Sequence, residues 1–177
     1  RPRGYWDITH DYVAANARAL ATLVPDKPRV VMIDDGYQRN KGHIRTEADW
    51  FATWLENQYN CEKEGPTEDH ALFPMGMKGM ASVIRDAGAL PAIWVSPRLT
   101  RQSQLALDHP HWLLQRNDGQ CFGKLSAFLD YSLPEVRAFV KNAWERVFQQ
   151  WNYSAVKLDF WSIQCELPQI EFRNPDM

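Results

Sequence analysis

Charged side chains stand where two short apolar runs of the sequence end. Asp34 and Asp35 follow one run, and Asp159 ends another run that also contains Lys157. Carboxylates accept hydrogen bonds from hydroxyl groups, act as nucleophiles in covalent catalysis and bind hard metal ions. These four residues are therefore the first candidates for chemistry, with a sugar or a divalent metal ion as the ligand.

Asp34 and Asp35 allow two interpretations. Asp and Gly both favour turns, so the pair followed by Gly36 predicts a plain turn after a strand. Two adjacent carboxylates also present two acceptor oxygens each, which suits the neighbouring hydroxyl groups of a sugar or, as the competing use, a divalent metal. The sequence leaves both interpretations open.

Lys157 and Asp159 are two residues apart in a predicted strand, so their side chains project to the same face. A nearby lysine would hold the aspartate ionised at neutral pH, as a carboxylate nucleophile requires. The alternative is a buried structural ion pair. Trp94, which lies near the end of another predicted strand, is by itself most typical of a core residue.

Short apolar runs alternate with helical patterns, which predicts an α/β fold with a parallel sheet. Ligands of such folds bind at the carboxyl ends of the strands. The predicted strands cover residues 29–34, 89–95, 127–131 and 155–160, and the predicted helices cover residues 11–24, 77–88 and 132–151. Four strands are half of an eight-stranded barrel or a small doubly wound sheet. The division we expect is a leading helix and linker over residues 1–28 and a half-barrel over residues 29–177.

Composition excludes several classes of partner. The 177 residues are 45% apolar with a net charge of −2, which indicates a folded domain without a basic stripe for nucleic acid. No apolar run approaches the roughly 20 residues that span a membrane. Cys61, Cys121 and Cys165 lack paired spacing, which favours free thiols and a reducing, cytoplasmic compartment. No phosphate loop or zinc motif occurs, so we expect neither cofactor nor metal.

Seven motifs follow one another along the chain: Ile33-Asp34-Asp35-Gly36-Tyr37-Gln38, Asp49-Trp50, Phe73-Pro74-Met75-Gly76, Ile93-Trp94-Val95-Ser96-Pro97, His109-Pro110-His111-Trp112, Phe128-Leu129-Asp130 and Val156-Lys157-Leu158-Asp159-Phe160. In this order they resemble the α-galactosidase (melibiase) clan, particularly bacterial members of glycoside hydrolase family 36. The resemblance implies a (β/α) TIM-type barrel and a retaining hydrolase of α-galactosides or related α-glycosides. It also implies site roles for the matching residues: Asp159 as nucleophile, Lys157 as hydrogen-bond donor to the sugar, Asp34 and Asp35 as acceptors, and Trp94 as a wall of the −1 subsite.

Some positions depart from the family pattern. Tyr37 stands where the family usually has Trp, Ser96 where Glu is common, and Trp161 where Asn is expected. Lys124 replaces an Arg and remains a candidate for binding the sugar. These changes leave the identity of the sugar open.

A retaining glycosidase needs two carboxyl groups roughly 5 to 5.5 Å apart, of which one protonates the leaving group. The resemblance places that acid/base Asp on a later strand. We therefore expect the 177 residues to be part of a longer protein and to lack hydrolytic activity alone. The expected partner is an α-galactoside oligosaccharide, with a homo-oligomer as a further option. The alternatives are a carbohydrate-binding scaffold without catalysis and a galactosyl transferase of the raffinose-synthase type.

Overall fold

The computed structural model describes residues 8–38, 54–56, 58–59, 69–116, 126–159, 170–171 and 173. The chain divides into two compact units. Unit 1 comprises Arg1–Asn40, Pro66–Val95 and Glu145–Lys157, and unit 2 comprises Lys41–Gly65, Ser96–Trp144 and Leu158–Met177.

The described helices are α1 His10–Leu23, α2 Gly76–Asp86, α3 Gln104–Asp108 and α4 Pro134–Glu145. The described strands are β1 Val30–Ile33, β2 Leu90–Val95, β3 Arg98–Thr100, β4 Gln115–Arg116, β5 Ser126–Phe128, β6 Ala155–Leu158 and β7 Ile170–Glu171. The described residues also form a 3-10 turn at Pro110–Trp112 and a π-helical segment at Arg146–Gln150.

The sheet of unit 1 has the strand order β1-β2-β6. β1 and β2 run parallel, with Val30 opposite Leu90 and Ile33 opposite Ile93. This arrangement, with helices between the strands in sequence, confirms the predicted α/β class and brings the carboxyl ends of β1 and β2 to one edge of the sheet.

Two amphipathic helices cover unit 1. The Thr9 hydroxyl accepts a hydrogen bond from the Tyr12 amide and caps α1. α2 buries Met77, Met80 and Ile84 at helical spacing, as the sequence predicts. α1 packs on β1 and α2 on β2. Among the described residues, no helix combines the length and the apolar character needed to cross a membrane.

The two neighbouring strands of unit 1 differ in burial. β2 is buried from its second residue to Val95. The continuous apolar run of β1 predicts a strand covered on both faces, but this prediction is wrong, because Val30 is 55% and Met32 44% exposed while Ile33 is buried. β1 is an edge strand of this sheet, and alternate residues of a strand point to opposite faces.

The third predicted strand forms a different pairing from the one expected. It is present as β5, but β5 pairs antiparallel with β3, so that Phe128 lies opposite Arg98. β4 pairs antiparallel with β7. The expectation of a third parallel strand is therefore wrong for the described residues. An apolar run predicts a strand but not its partner, and β3, which directly follows Pro97, provides the edge to which β5 binds.

The last predicted helix is interrupted before its end. α4 buries Val136, Phe139 and Val140 as expected, but Arg146–Gln150 adopts the wider π-helical turn. Within this segment Val147 is buried, whereas Phe148 is 40% exposed although the apolar spacing of the sequence includes it.

Candidate functional site

The turn after β1 carries the two adjacent aspartates. We call residues 34–38 the aspartate turn. Gly36 has φ = 121°, a left-handed conformation that favours glycine. The Asp34 Oδ1 atom accepts from the Asp35 amide at 2.8 Å, and the Gln38 side-chain oxygen accepts from the Gly36 amide at 3.0 Å. The predicted turn is thus present, and it leaves Asp34 Oδ2 directed to a different partner.

That partner is Lys157. The Lys157 Nζ atom donates to Asp34 Oδ2 at 3.0 Å. Because β2 lies between β1 and β6, this ion pair joins the two outer strands of the sheet near the carboxyl ends of both. The side chains are 41% and 49% exposed, so water and dissolved ligands reach both charges. The interpretation of Lys157 as part of a buried ion pair is therefore wrong.

Asp35 and Trp94 are much less accessible than Asp34. Asp35 is 9% and Trp94 2% exposed. Beyond the paired residues Ile33 and Ile93, Asp34 and Trp94 come next on the two parallel chains. The burial of Trp94 favours its role as a core residue. The burial of Asp35 leaves Asp34 as the accessible carboxylate of the predicted pair. Contacts of Asp35 and Trp94 with a sugar stay predictions.

Asp159 belongs to unit 2, where its electrostatic neighbour is Arg98. Burial lowers the pKa of Arg98, and the negative charge of Asp159 opposes that shift. The Arg98 guanidinium carbon lies 5.6 Å from the centre of the Phe128 ring, within cation-π range. Arg98 is thus a cation that acts on Asp159. Sequence position alone placed Arg98 at the end of a strand without suggesting this role.

Asp130 shows how an acidic strand end can be purely structural. The residue is 0% exposed. Its Oδ1 atom accepts from the Ser132 amide at 2.9 Å and hydroxyl at 2.6 Å, and its Oδ2 atom accepts from the Arg173 amide at 2.9 Å. The Oδ1 atom thus holds the chain that enters α4, and the Oδ2 atom holds the backbone at Arg173. The Ser132 hydroxyl, just before α4, donates to this carboxylate.

The histidines around Pro110 lie in a packed loop. The rings of His109 and Trp112 stack 4.0 Å apart at an angle of 14°. The Tyr59 hydroxyl donates to Asp108 Oδ2 at 2.6 Å beside them. These contacts account for His109 through packing.

Several residues that the sequence singles out lie outside the described part of the chain. They are Lys124, the candidate for sugar binding, the cysteines Cys61, Cys121 and Cys165, the pair Asp49-Trp50, and Phe160 and Trp161. Their predicted roles stay predictions.

Comparison with known proteins identifies one family and a group of related folds. Residues 31–173 match the melibiase family. The α-galactosidase of Thermus thermophilus, solved with p-nitrophenyl α-D-galactopyranoside, is similar with 27% identity and a TM-score of 0.57, over 87% of this chain and 28% of that chain. The family 36 α-galactosidase AgaA of Geobacillus stearothermophilus is similar with 23% identity and a TM-score of 0.63, over 87% of this chain. The α-galactosidase of Lactobacillus brevis is similar with 20% identity and a TM-score of 0.61, also over 87% of this chain.

The chain spans only 19% of the length of the Geobacillus and Lactobacillus structures. Among curated protein sequences, none matches it significantly.

Proposed function

The chain belongs to the melibiase family, and on that premise we propose that the protein carrying it is a retaining glycoside hydrolase of α-galactosides or related α-glycosides. Structures of AgaA variants hold raffinose and stachyose, and the Thermus enzyme holds an aryl α-galactoside. Oligosaccharides that end in α-galactose are therefore the substrates to test first. We further propose that the described sheet is part of a (β/α) barrel.

The observation that carries the proposal is the solvent-accessible pair of Lys157 and Asp34 at the carboxyl edge of the sheet. An ammonium group and a carboxylate oxygen 3.0 Å apart match two neighbouring hydroxyl groups of a sugar. One hydroxyl oxygen accepts from Lys157, and the other hydroxyl donates to Asp34. Each hydrogen bond to a charged group contributes about 1.5–3 kcal/mol, enough to orient a sugar ring.

We assign the nucleophile to Asp159, the residue that directly follows β6. In the first step a carboxylate oxygen of Asp159 forms a bond to the anomeric carbon, while the bond from that carbon to the leaving oxygen breaks. The leaving oxygen takes its proton from a second carboxylic acid. Water then attacks the anomeric carbon, Asp159 departs as a carboxylate, and the second group accepts the proton. We assign the second group to none of the described residues.

The charge of Arg98 supports the role of Asp159. A carboxyl group acts as a nucleophile only in its ionised form, and a neighbouring cation favours that form. Burial lowers the pKa of Arg98, and the negative charge of Asp159 opposes this shift. Arg98 is therefore a cation of unit 2 that acts on Asp159. Lys157, which the sequence suggested for this purpose, has Asp34 as an acidic partner.

Hydrolysis of p-nitrophenyl α-D-galactopyranoside by the protein that carries this chain tests the proposal. The Asp159→Asn variant should lose at least about 10³-fold in kcat, as expected when a covalent nucleophile is removed. The exposed Asp86→Asn variant, which lies on α2, should keep full activity. Proton NMR of early product should show α-galactose, because two inversions retain configuration.

Two results would replace the proposal by its alternatives. Binding of galactosides without turnover would support a carbohydrate-binding scaffold. Transfer of galactose to an acceptor sugar, with little release to water, would support a transferase.

A further inference from the structure

Tyr37 connects the aspartate turn to the end of β2. Its side chain is 1% exposed, and its hydroxyl donates to the backbone carbonyl of Trp94 at 3.0 Å. Both groups are buried, and breaking a buried hydrogen bond costs more free energy than breaking one at the surface. The Tyr37 hydroxyl therefore fixes its own residue firmly to the strand beside β1.

Two further contacts restrict Tyr37. Its backbone carbonyl accepts from the Asp69 amide at 3.0 Å. Its ring meets the ring of Trp151 edge to face, with centres 6.3 Å apart and planes at 89°. Tyr37 is thus held through its hydroxyl, its ring and its backbone by three separate segments of unit 1.

The position of Asp34 depends on this attachment. Between Asp34 and Tyr37 lies Gly36, whose backbone has more conformational freedom than that of any other residue type. A turn that contains such a residue needs an anchor beyond the glycine to keep one conformation. The first anchored side chain after Gly36 is Tyr37.

We infer that Tyr37 is a positioning residue for Asp34: its hydrogen bond to β2 holds the aspartate turn where Asp34 meets Lys157 and, when the proposed function holds, the sugar. Tyr37 itself is buried and does not touch the sugar. A displacement of a binding group by about 1 Å can cost on the order of 10²-fold in activity, so a single buried hydrogen bond is enough to matter.

The Tyr37→Phe variant tests this inference, with Tyr153→Phe as the matched control. Tyr153 is also a buried tyrosine of unit 1, and its hydroxyl donates at 3.6 Å to the sulfur of Met77, which lies on α2 and is not part of the aspartate turn. Each variant removes one buried hydroxyl. In the hydrolysing protein, Tyr37→Phe should raise the KM for p-nitrophenyl α-D-galactopyranoside by about 10-fold, with kcat changed less, because it weakens ground-state binding by Asp34. Tyr153→Phe should leave KM unchanged.

A second measurement does not depend on catalysis. The urea midpoints of Tyr37→Phe, Asp34→Asn and the double variant form a double-mutant cycle. If the hydroxyl positions Asp34, the double variant should shift the midpoint by clearly less than the sum of the single shifts. The cycle of Tyr153→Phe with Asp34→Asn should be additive.

Additive midpoints for Tyr37 and Asp34 would overturn the inference, as would an unchanged KM in a protein that hydrolyses the substrate. A protein without any turnover would contradict the proposed function instead, and the cycle would still decide the role of Tyr37.

Discussion

The ion pair between Lys157 and Asp34 should matter much more for binding than for stability. The perturbation is Lys157→Met, which keeps an apolar stem and removes the charge. At 3.0 Å in water-like surroundings, two unit charges attract by about 1.4 kcal/mol. The side-chain entropy lost when two half-exposed side chains are held together offsets most of this attraction. Lys157→Met should therefore lower the free energy of unfolding by only about 0.2–1 kcal/mol.

The expected effect on sugar binding is larger. Removal of a charged donor costs about 1.5–3 kcal/mol, which corresponds to a rise in KM of roughly 10- to 150-fold. Urea unfolding measures the first quantity and the kinetics of aryl α-galactoside hydrolysis the second. The small stability difference should shrink further in 1 M salt, where the Debye length is about 3 Å.

Lys78→Met is the matched control, since Lys78 is an exposed lysine on α2 in the same unit. Lys78→Met should change neither the free energy of unfolding nor the KM for the aryl α-galactoside. Destabilisation by more than about 3 kcal/mol in Lys157→Met, together with an unchanged KM, would show that the pair is structural and would refute this reasoning.

Three further predictions concern unit 2. Asp130→Ala should destabilise the protein by about 3 kcal/mol or more, because it leaves buried donors unsatisfied, and thermal unfolding measures the loss. Burial raises the pKa of Tyr131 to about 12. The contribution of Tyr131 to the free energy of unfolding should therefore be complete below about pH 10 and fall by about 2–3 kcal/mol towards pH 12. Urea unfolding at a series of pH values should show that Tyr131→Phe removes this fall. Arg98→Gln should raise the pKa of Asp159 and so move the acid limb of the pH profile of kcat/KM to higher pH. The control variant Arg101→Gln, at an exposed arginine, should leave the acid limb in place. An unmoved acid limb in Arg98→Gln would refute the electrostatic role of Arg98.

Periodicity was sufficient to predict where most elements lie. α1 and α2 carry apolar residues at helical spacing, and β2 is a continuous apolar run, so each was predicted within a few residues of its bounds. The partners of strands were less predictable. β5 lies where a further strand of the parallel sheet was expected, yet it pairs antiparallel with β3, because hydrogen bonding between strands depends on the path of the whole chain.

The contacts between the candidate site residues were likewise only partly predictable from local sequence. Lys157 and Asp159 are two residues apart, which suggested that they interact, but the acidic partner found for Lys157 is 123 residues away in sequence. Parallel strands bring such distant residues together at one edge, and no local pattern indicates the pairing. Conversely, the spacing of Asp130 and Ser132 is typical of a side-chain turn and was a local signal for a structural role.

The most direct test of the central claim is covalent labelling of the protein with a mechanism-based α-galactoside probe, followed by peptide mapping. We predict one label per active site, on the Asp159 carboxylate, and no label in Asp159→Asn. Labelling of a different carboxylate, or undiminished hydrolysis by Asp159→Asn, would contradict the assignment of Asp159 as the nucleophile.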